Sequence, residues 1–215
     1  MRSDSPTNAS SHLDSGTIAV PPTIALIGAT PIAELIASRA LIAGLKVIID
    51  DVSDTRLQAI SIHLRDVVRA QHHCAPGPHN HSDSPQSGVS CFGDLTNAAN
   101  SQFPNLRLTQ SIESAIRSAD FLIDALPDDI EVKLELFTLF DKFAKPNAIF
   151  ITTGSIPIDD LAAITFCPDR CLAVRLTNTT TTDAIFELVP ATQTSPHALT
   201  TCTNLFFHSL ALRVL

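Results

Sequence analysis

Residues 23–51 read TIALIGATPIAELIASRALIAGLKVIIDD, and this stretch decides the fold class. It opens with TIALIG (23–28), a short apolar and β-branched run stopped by a glycine, which is the pattern of a buried strand. IAELIASRALIA (32–43) then sets Ile32, Leu35, Ile36 and Ala43 on one helical face, and Gly44 supplies a C-terminal stop. VIIDD (47–51) is a second buried strand. Beyond it, Leu57, Ile60, Leu64 and Val67 recur at three- and four-residue steps over 54–70, a second helix. Strand, helix, strand and helix in about 50 residues form a βαβ unit, whose crossover predicts a parallel sheet.

The same alternation continues toward the C-terminus. FLIDAL (121–126) and AIFIT (148–152) read as strands, with Ile130, Leu134, Phe137 and Leu139 on a helix between them. CLAVRL (171–176) and AIFELV (184–189) are strand-like, and Ser195-Pro196 opens a final helix over 195–210. Residues 1–22 read as a disordered tail rich in Ser, Thr, Asn and Asp, closed by Pro21-Pro22. Residues 71–104 hold four histidines and no Lys or Arg, and read as a flexible insertion. The expected architecture is a single α/β domain over 23–215, a Rossmann-type doubly wound, mostly parallel sheet.

Composition narrows the partners. The 215-residue chain carries a formal net charge of −8, which repels phosphate backbones and argues against nucleic acid. Hydrophobic residues make up 45% of it, enough for a sizeable core. No apolar run approaches the roughly 18 residues of a membrane helix, so no membrane partner is expected. Five cysteines without a C-x-x-C pair do not make a disulfide framework. The first 16 residues lack a signal-peptide layout, and a cytoplasmic location is the expectation.

Gly28 ends a strand and precedes a helix, the place where a dinucleotide fold turns around a pyrophosphate. Against the full fingerprint G-x-G-x-x-G, the chain reads Gly28-Ala29-Thr30-Pro31-Ile32-Ala33. The first glycine is kept, and Ala33 still allows close helix–strand packing. Thr30 brings a Cβ to the position nearest the phosphates. Asp51, 23 residues after Gly28, stands where an acid accepts the adenosine ribose hydroxyls and repels a 2′-phosphate, favouring NAD over NADP. An ordinary doubly wound protein with a coincidental Gly and Asp is the competing reading of these residues.

The second half separates the two readings. SADFLIDALPDDIEVKLELF (118–137), ITTGSIPIDDLA (151–162) and DRCLAVRLTNT (169–179), taken with TIALIG and VIIDD, resemble the N-terminal domain of the 3-hydroxyacyl-CoA dehydrogenase family. The resemblance covers about residues 23–210, in order and with near-constant spacing. It implies that Gly28 and Ala29 face the pyrophosphate, Asp51 the adenine ribose and Ala125 the nicotinamide side of NAD. Asp128 stands where the family has a Glu near the nicotinamide ribose, and Lys133 matches a Lys of the next helix. Ser155 matches a serine that contacts cofactor and substrate oxygen, and Asn178 matches an Asn near the nicotinamide. Glu187 matches the Glu that orients the catalytic histidine.

That histidine is replaced here. The family's base lies three residues before the Asn, at a position occupied by Arg175. A guanidinium stays protonated and cannot take the hydroxyl proton; it can polarise a carbonyl or pair with Glu187. The family also adds a helical domain beyond the nucleotide domain, and the sequence leaves open whether a partner chain supplies that half. Acyl-CoA is the substrate class it implies, although the cation-free 71–104 segment offers nothing to coenzyme A. The expected function is thus an NAD-binding domain related to 3-hydroxyacyl-CoA oxidation in fatty acid metabolism, weak or inactive alone. A non-catalytic nucleotide-binding or interaction module on the same scaffold is the alternative. No metal site is expected: His72, His73, Cys74, His79 and His81 match no zinc spacing.

Overall fold

The computed structural model describes residues 21–73, 104–180 and 183–214. Its eight strands form one sheet. In chain order the elements are β1 (Thr23–Ile27), α1 (Pro31–Ile42), β2 (Lys46–Asp50), α2 (Asp54–His73), β3 (Leu106–Thr109), α3 (Ile112–Ser118), β4 (Phe121–Asp124), α4 (Ile130–Phe143), β5 (Ile149–Thr153) and α5 (Ile158–Ala162). A 3₁₀ turn (Pro168–Arg170), β6 (Cys171–Thr180), β7 (Asp183–Pro190), α6 (Pro196–Thr203), a π-helical turn (Asn204–Ser209) and β8 (Arg213–Val214) complete them. Strand order is β3-β2-β1-β4-β5-β6-β7-β8; all neighbours are parallel except the β6–β7 hairpin, which is antiparallel. The α/β Rossmann-type architecture expected from the sequence is the one observed.

The contiguous apolar strands are explained by burial on both sheet faces. Ile24, Leu26, Val47 and Ile49 pack on one face with Ile36 of α1 and Leu64 of α2. Ala25, Ile48, Leu122 and Phe150 pack on the other with Ile116 of α3 and Phe137 and Phe140 of α4. Helix starts follow local chemistry: Pro31 occupies the first turn of α1, the Asp129 carboxylate accepts from the Glu131 and Val132 N–H groups at α4, and Ser195 caps α6.

Several elements depart from expectation. β3 and α3 lie where no element was anticipated; β3 has four residues with only Leu106 buried, and α3 is seven residues, so neither carries a readable period. α2 runs on to His73, past the expected start of the insertion at 71. Its core face follows Ile60, Leu64 and Val68, which is 4% exposed, while Val67 is 39% exposed. The final helix ends at Thr203 and passes into the π turn, where backbone N–H groups reach one residue further back. Residues 1–20 and 74–103, with most of the expected tail and insertion and with Cys74, His79 and His81, lie outside the described residues. Among the described residues no helix is long and apolar enough to cross a membrane.

Candidate functional site

From β1 the chain winds outward through β2 and β3, then returns to place β4 on the other side of β1. The connections leaving β1 and β4 therefore diverge, and a crevice opens between them at the C-terminal strand ends. Gly28 forms its floor with φ +104°; an added Cβ would lie 3.0 Å from Leu126 Cδ2 and 3.2 Å from the Ala125 carbonyl oxygen. The positive φ and the close approach together favour glycine there. The Gly28 N–H donates to the Asp50 carbonyl at 2.7 Å. Thr30, the residue before α1, turns its hydroxyl across the crevice to the Ala125 carbonyl at 2.9 Å, and does not cap the helix. Pro31 has no N–H and Thr30 gives no side-chain cap, so the Ile32 and Ala33 N–H groups of the first turn are left without a capping side chain at the N-cap position. A cavity of about 630 Å³ adjoins, lined by Thr30, Pro31, Ala125, Asp128, Ser155 and Arg175, among others.

Asp51 follows β2 and its side chain is 3% exposed. One oxygen accepts the Ala29 N–H at 2.8 Å and the other the Ser53 N–H at 2.7 Å. Arg56, in the first turn of α2, closes over both oxygens through Nε at 3.0 Å and reaches one of them through Nη2 at 2.7 Å. Burial alone would raise the Asp51 carboxyl, but the Arg56 and backbone donors outweigh it and hold it below the usual carboxylate range.

At the opposite side of the crevice, Asp128 accepts from the Ser155 N–H at 2.9 Å and the Ser155 hydroxyl at 2.7 Å. Burial would raise this carboxyl too; the Ser155 donors, with the Lys133 charge 3.7 Å away, outweigh it and lower it. Gly154, between Thr153 and Ser155, has φ +106°, and a Cβ there would run into the Asp128 carboxylate. Lys133 lies beneath the cavity rather than in its wall. It is fully buried and donates to Asp124 at 2.6 Å, to the Thr153 carbonyl at 2.9 Å and to the Leu126 carbonyl at 3.1 Å.

Arg175 and Glu187 are direct cross-strand partners on β6 and β7, so their backbones meet as anticipated. No ion pair joins their side chains among the described residues, and the buried Arg175 Nε has no hydrogen-bond partner. Of the two roles open to Arg175, the static ion pair with Glu187 is therefore not formed among the described residues; Arg175 lines the cavity instead. Asn178 pairs with Ile185 beyond a register shift after Leu176; its side chain lies outside the described residues. No histidine lines this cavity among the described residues. Sequence reading missed Arg56, Gly154 and the Asp124–Thr152 support of Lys133. The first had a signal, a basic residue in the first helical turn after the strand-end acid.

A family profile described as "3-hydroxyacyl-CoA dehydrogenase, NAD binding domain" matches residues 23–209. The chain belongs to this family. NAD is accordingly the cofactor of the domain, and the crevice fits it: its floor is a glycine with positive φ packed closely against Ala125 and Leu126, and the α1 N-terminus offers N–H groups to a pyrophosphate.

L-carnitine dehydrogenase of Pseudomonas putida is 31% identical over 96 residues, 44% of this chain and 30% of that protein. Mitochondrial hydroxyacyl-coenzyme A dehydrogenase of Sus scrofa is 33% identical over 87 residues, 40% of this chain and 28% of that one. The (S)-3-hydroxybutyryl-CoA dehydrogenase structure from Ralstonia eutropha superposes with a TM-score of 0.71 at 21% identity, covering 91% of this chain and 62% of that one. The match with these family members thus spans less than two thirds of their length.

Proposed function

We propose that this chain binds NAD in the β1–β4 crevice and, by itself, catalyses 3-hydroxyacyl-CoA oxidation weakly or not at all. The observation that carries the reading is Arg175 in the cavity wall, at the position that the resemblance gives to the family's base. NAD supplies the hydride acceptor of such a reaction. The protein must then take the proton of the 3-hydroxyl, and a permanently protonated guanidinium cannot. Glu187 stands opposite Arg175 in register, where it would orient an imidazole had one been present. The Asp128–Ser155 pair holds the wall between the nicotinamide and substrate ends, with the Ser155 hydroxyl already donated to Asp128. An acyl-CoA is the substrate class, in the setting of fatty acid metabolism.

The test is a single-turnover assay with acetoacetyl-CoA and NADH, paired with NADH binding followed by nicotinamide fluorescence. Binding with turnover about 10²–10⁴-fold below an ordinary dehydrogenase is the expected result, since that is the typical contribution of a positioned base. Arg175→His should raise turnover measurably without changing NADH affinity. Ordinary turnover by the unmodified chain would refute the reading. Binding without any turnover, unchanged by Arg175→His, would favour the non-catalytic module.

A further inference from the structure

Resting on the reading that the crevice binds a nicotinamide dinucleotide, we propose that Arg56 sets which one it takes: by neutralising Asp51 and offering its guanidinium to a 2′-phosphate, it lets NADP(H) bind about as well as NAD(H). An acid after the second strand rejects NADP in two ways. Its lone pairs accept the ribose hydroxyls, and its charge repels the 2′-phosphate. Both depend on a carboxylate that is free and uncompensated.

Asp51 is neither. A carboxylate has about four acceptor directions, and the Ala29 N–H, the Ser53 N–H and the Arg56 Nε and Nη2 groups already fill both oxygens. Two of these donors are backbone and stay where the fold puts them. The guanidinium is the removable one, 57% exposed against 3% for the carboxylate it covers. Its planar fork still has N–H groups pointing away from Asp51, because Nη1 takes no part in the pair. The Ser53 hydroxyl, which accepts the backbone N–H of Arg56 at 3.3 Å, keeps its own hydrogen for a phosphate oxygen. Asp54, the other acid of this turn, is engaged by the Gln58 amide. A ribose bearing a 2′-phosphate therefore meets a compensated acid and a cation matched to phosphate. A ribose with a free 2′-hydroxyl must displace that cation to reach the acid.

The test titrates NADH and NADPH into the full chain by nicotinamide fluorescence, with 5′-ADP and 2′,5′-ADP as competitors that carry only the ribose end. The unmodified protein should show similar Kd values for the two dinucleotides, and 2′,5′-ADP should compete at least as well as 5′-ADP. Arg56→Ala should raise the NADPH-to-NADH Kd ratio by about 10- to 100-fold, the loss of a charge-assisted phosphate contact. Arg56→Lys, which keeps the charge but not the fork, should fall between. Circular dichroism verifies that the variants fold. NADH binding with NADPH at least about 100-fold weaker in the unmodified protein, or a ratio unmoved by Arg56→Ala, overturns the proposal and leaves the NAD crevice standing. Binding of neither dinucleotide and neither competitor overturns both.

Discussion

Asp50 and Asp124 stand at the same level of the sheet, one on each side of Ile27 in β1. The row runs Thr109, Asp50, Ile27, Asp124, Thr152, and alternation along the strands puts all five on one face. Both aspartates are buried, at 5% and 0% exposure, about two strand spacings or 10 Å apart. Their surroundings differ completely. Asp124 accepts from Lys133 at 2.6 Å, the Thr152 hydroxyl at 2.7 Å and the Leu126 N–H at 2.9 Å. Among the described residues Asp50 Oδ1 has no hydrogen-bond partner, and the charge that acts on its carboxyl is the like charge of Asp51. Burial pushes both carboxyls up, but only at Asp124 do a cation and hydrogen bonds oppose it. A buried charge is tolerated according to the donors around it, and one strand position cannot tell which case applies.

The largest expected effect comes from making Asp124 resemble Asp50. Lys133→Met keeps the side-chain volume but strands the carboxylate, at a cost of about 3–5 kcal/mol. Urea unfolding followed by circular dichroism measures it, and a loss under about 1 kcal/mol would mean that water already reaches the pair.

A smaller effect tests the roof of the same pocket. The Thr153 carbonyl accepts from Lys133, and Gly154 follows it with φ +106°. Gly154→Ala should cost about 1–3 kcal/mol through backbone strain and a Cβ pressed against Asp128. It should also loosen the Asp128–Ser155 contact, moving the Asp128 carboxyl back up in a pH titration followed by NMR. An unchanged melting temperature would show that the turn relaxes freely.

The smallest effect removes the uncompensated acid. The Asp50 carboxyl is pushed up from 3.8 to about 6 by burial and then by Asp51. Between those values the folded state holds a proton that the unfolded chain has released. Stability from this group is therefore full at acid pH and is lost as pH rises through about 6. Asp50→Asn should flatten that slope and stabilise the protein at neutral pH by about 1–2 kcal/mol, allowing for partial solvent screening. A variant whose stability falls with pH as steeply as the parent's would locate the titration elsewhere.

The expected α/β order was readable because strands buried on both faces need unbroken apolar runs, and TIALI, KVIID and IFITT have them. β3 and α3 were not, since a four-residue edge strand and a seven-residue helix leave too few periods to distinguish from loop. Val67 and Val68 show the limit of helical spacing, because both satisfy a three- or four-residue step from Leu64 and only packing selects Val68. In the site, Gly28 was legible from its place between strand and helix, and so was the meeting of Arg175 with Glu187 on neighbouring strands. The role of Gly154 was not, because it depends on a carboxylate 26 residues earlier in the chain folding against it.

By itself, then, the sequence determined the order of elements, the crevice floor at Gly28 and the lack of an imidazole at position 175, all properties of single residues and their near neighbours. The tertiary structure alone decided which charges meet. Asp51 is closed by Arg56, Asp124 by Lys133 and Asp128 by Ser155, while among the described residues Asp50 meets no cation and Arg175 forms no ion pair with Glu187. The physical reason is range. Propensity and hydrophobic period act over a few residues of chain, whereas a buried charge answers to every donor within a few ångströms, from whichever element the fold brings there.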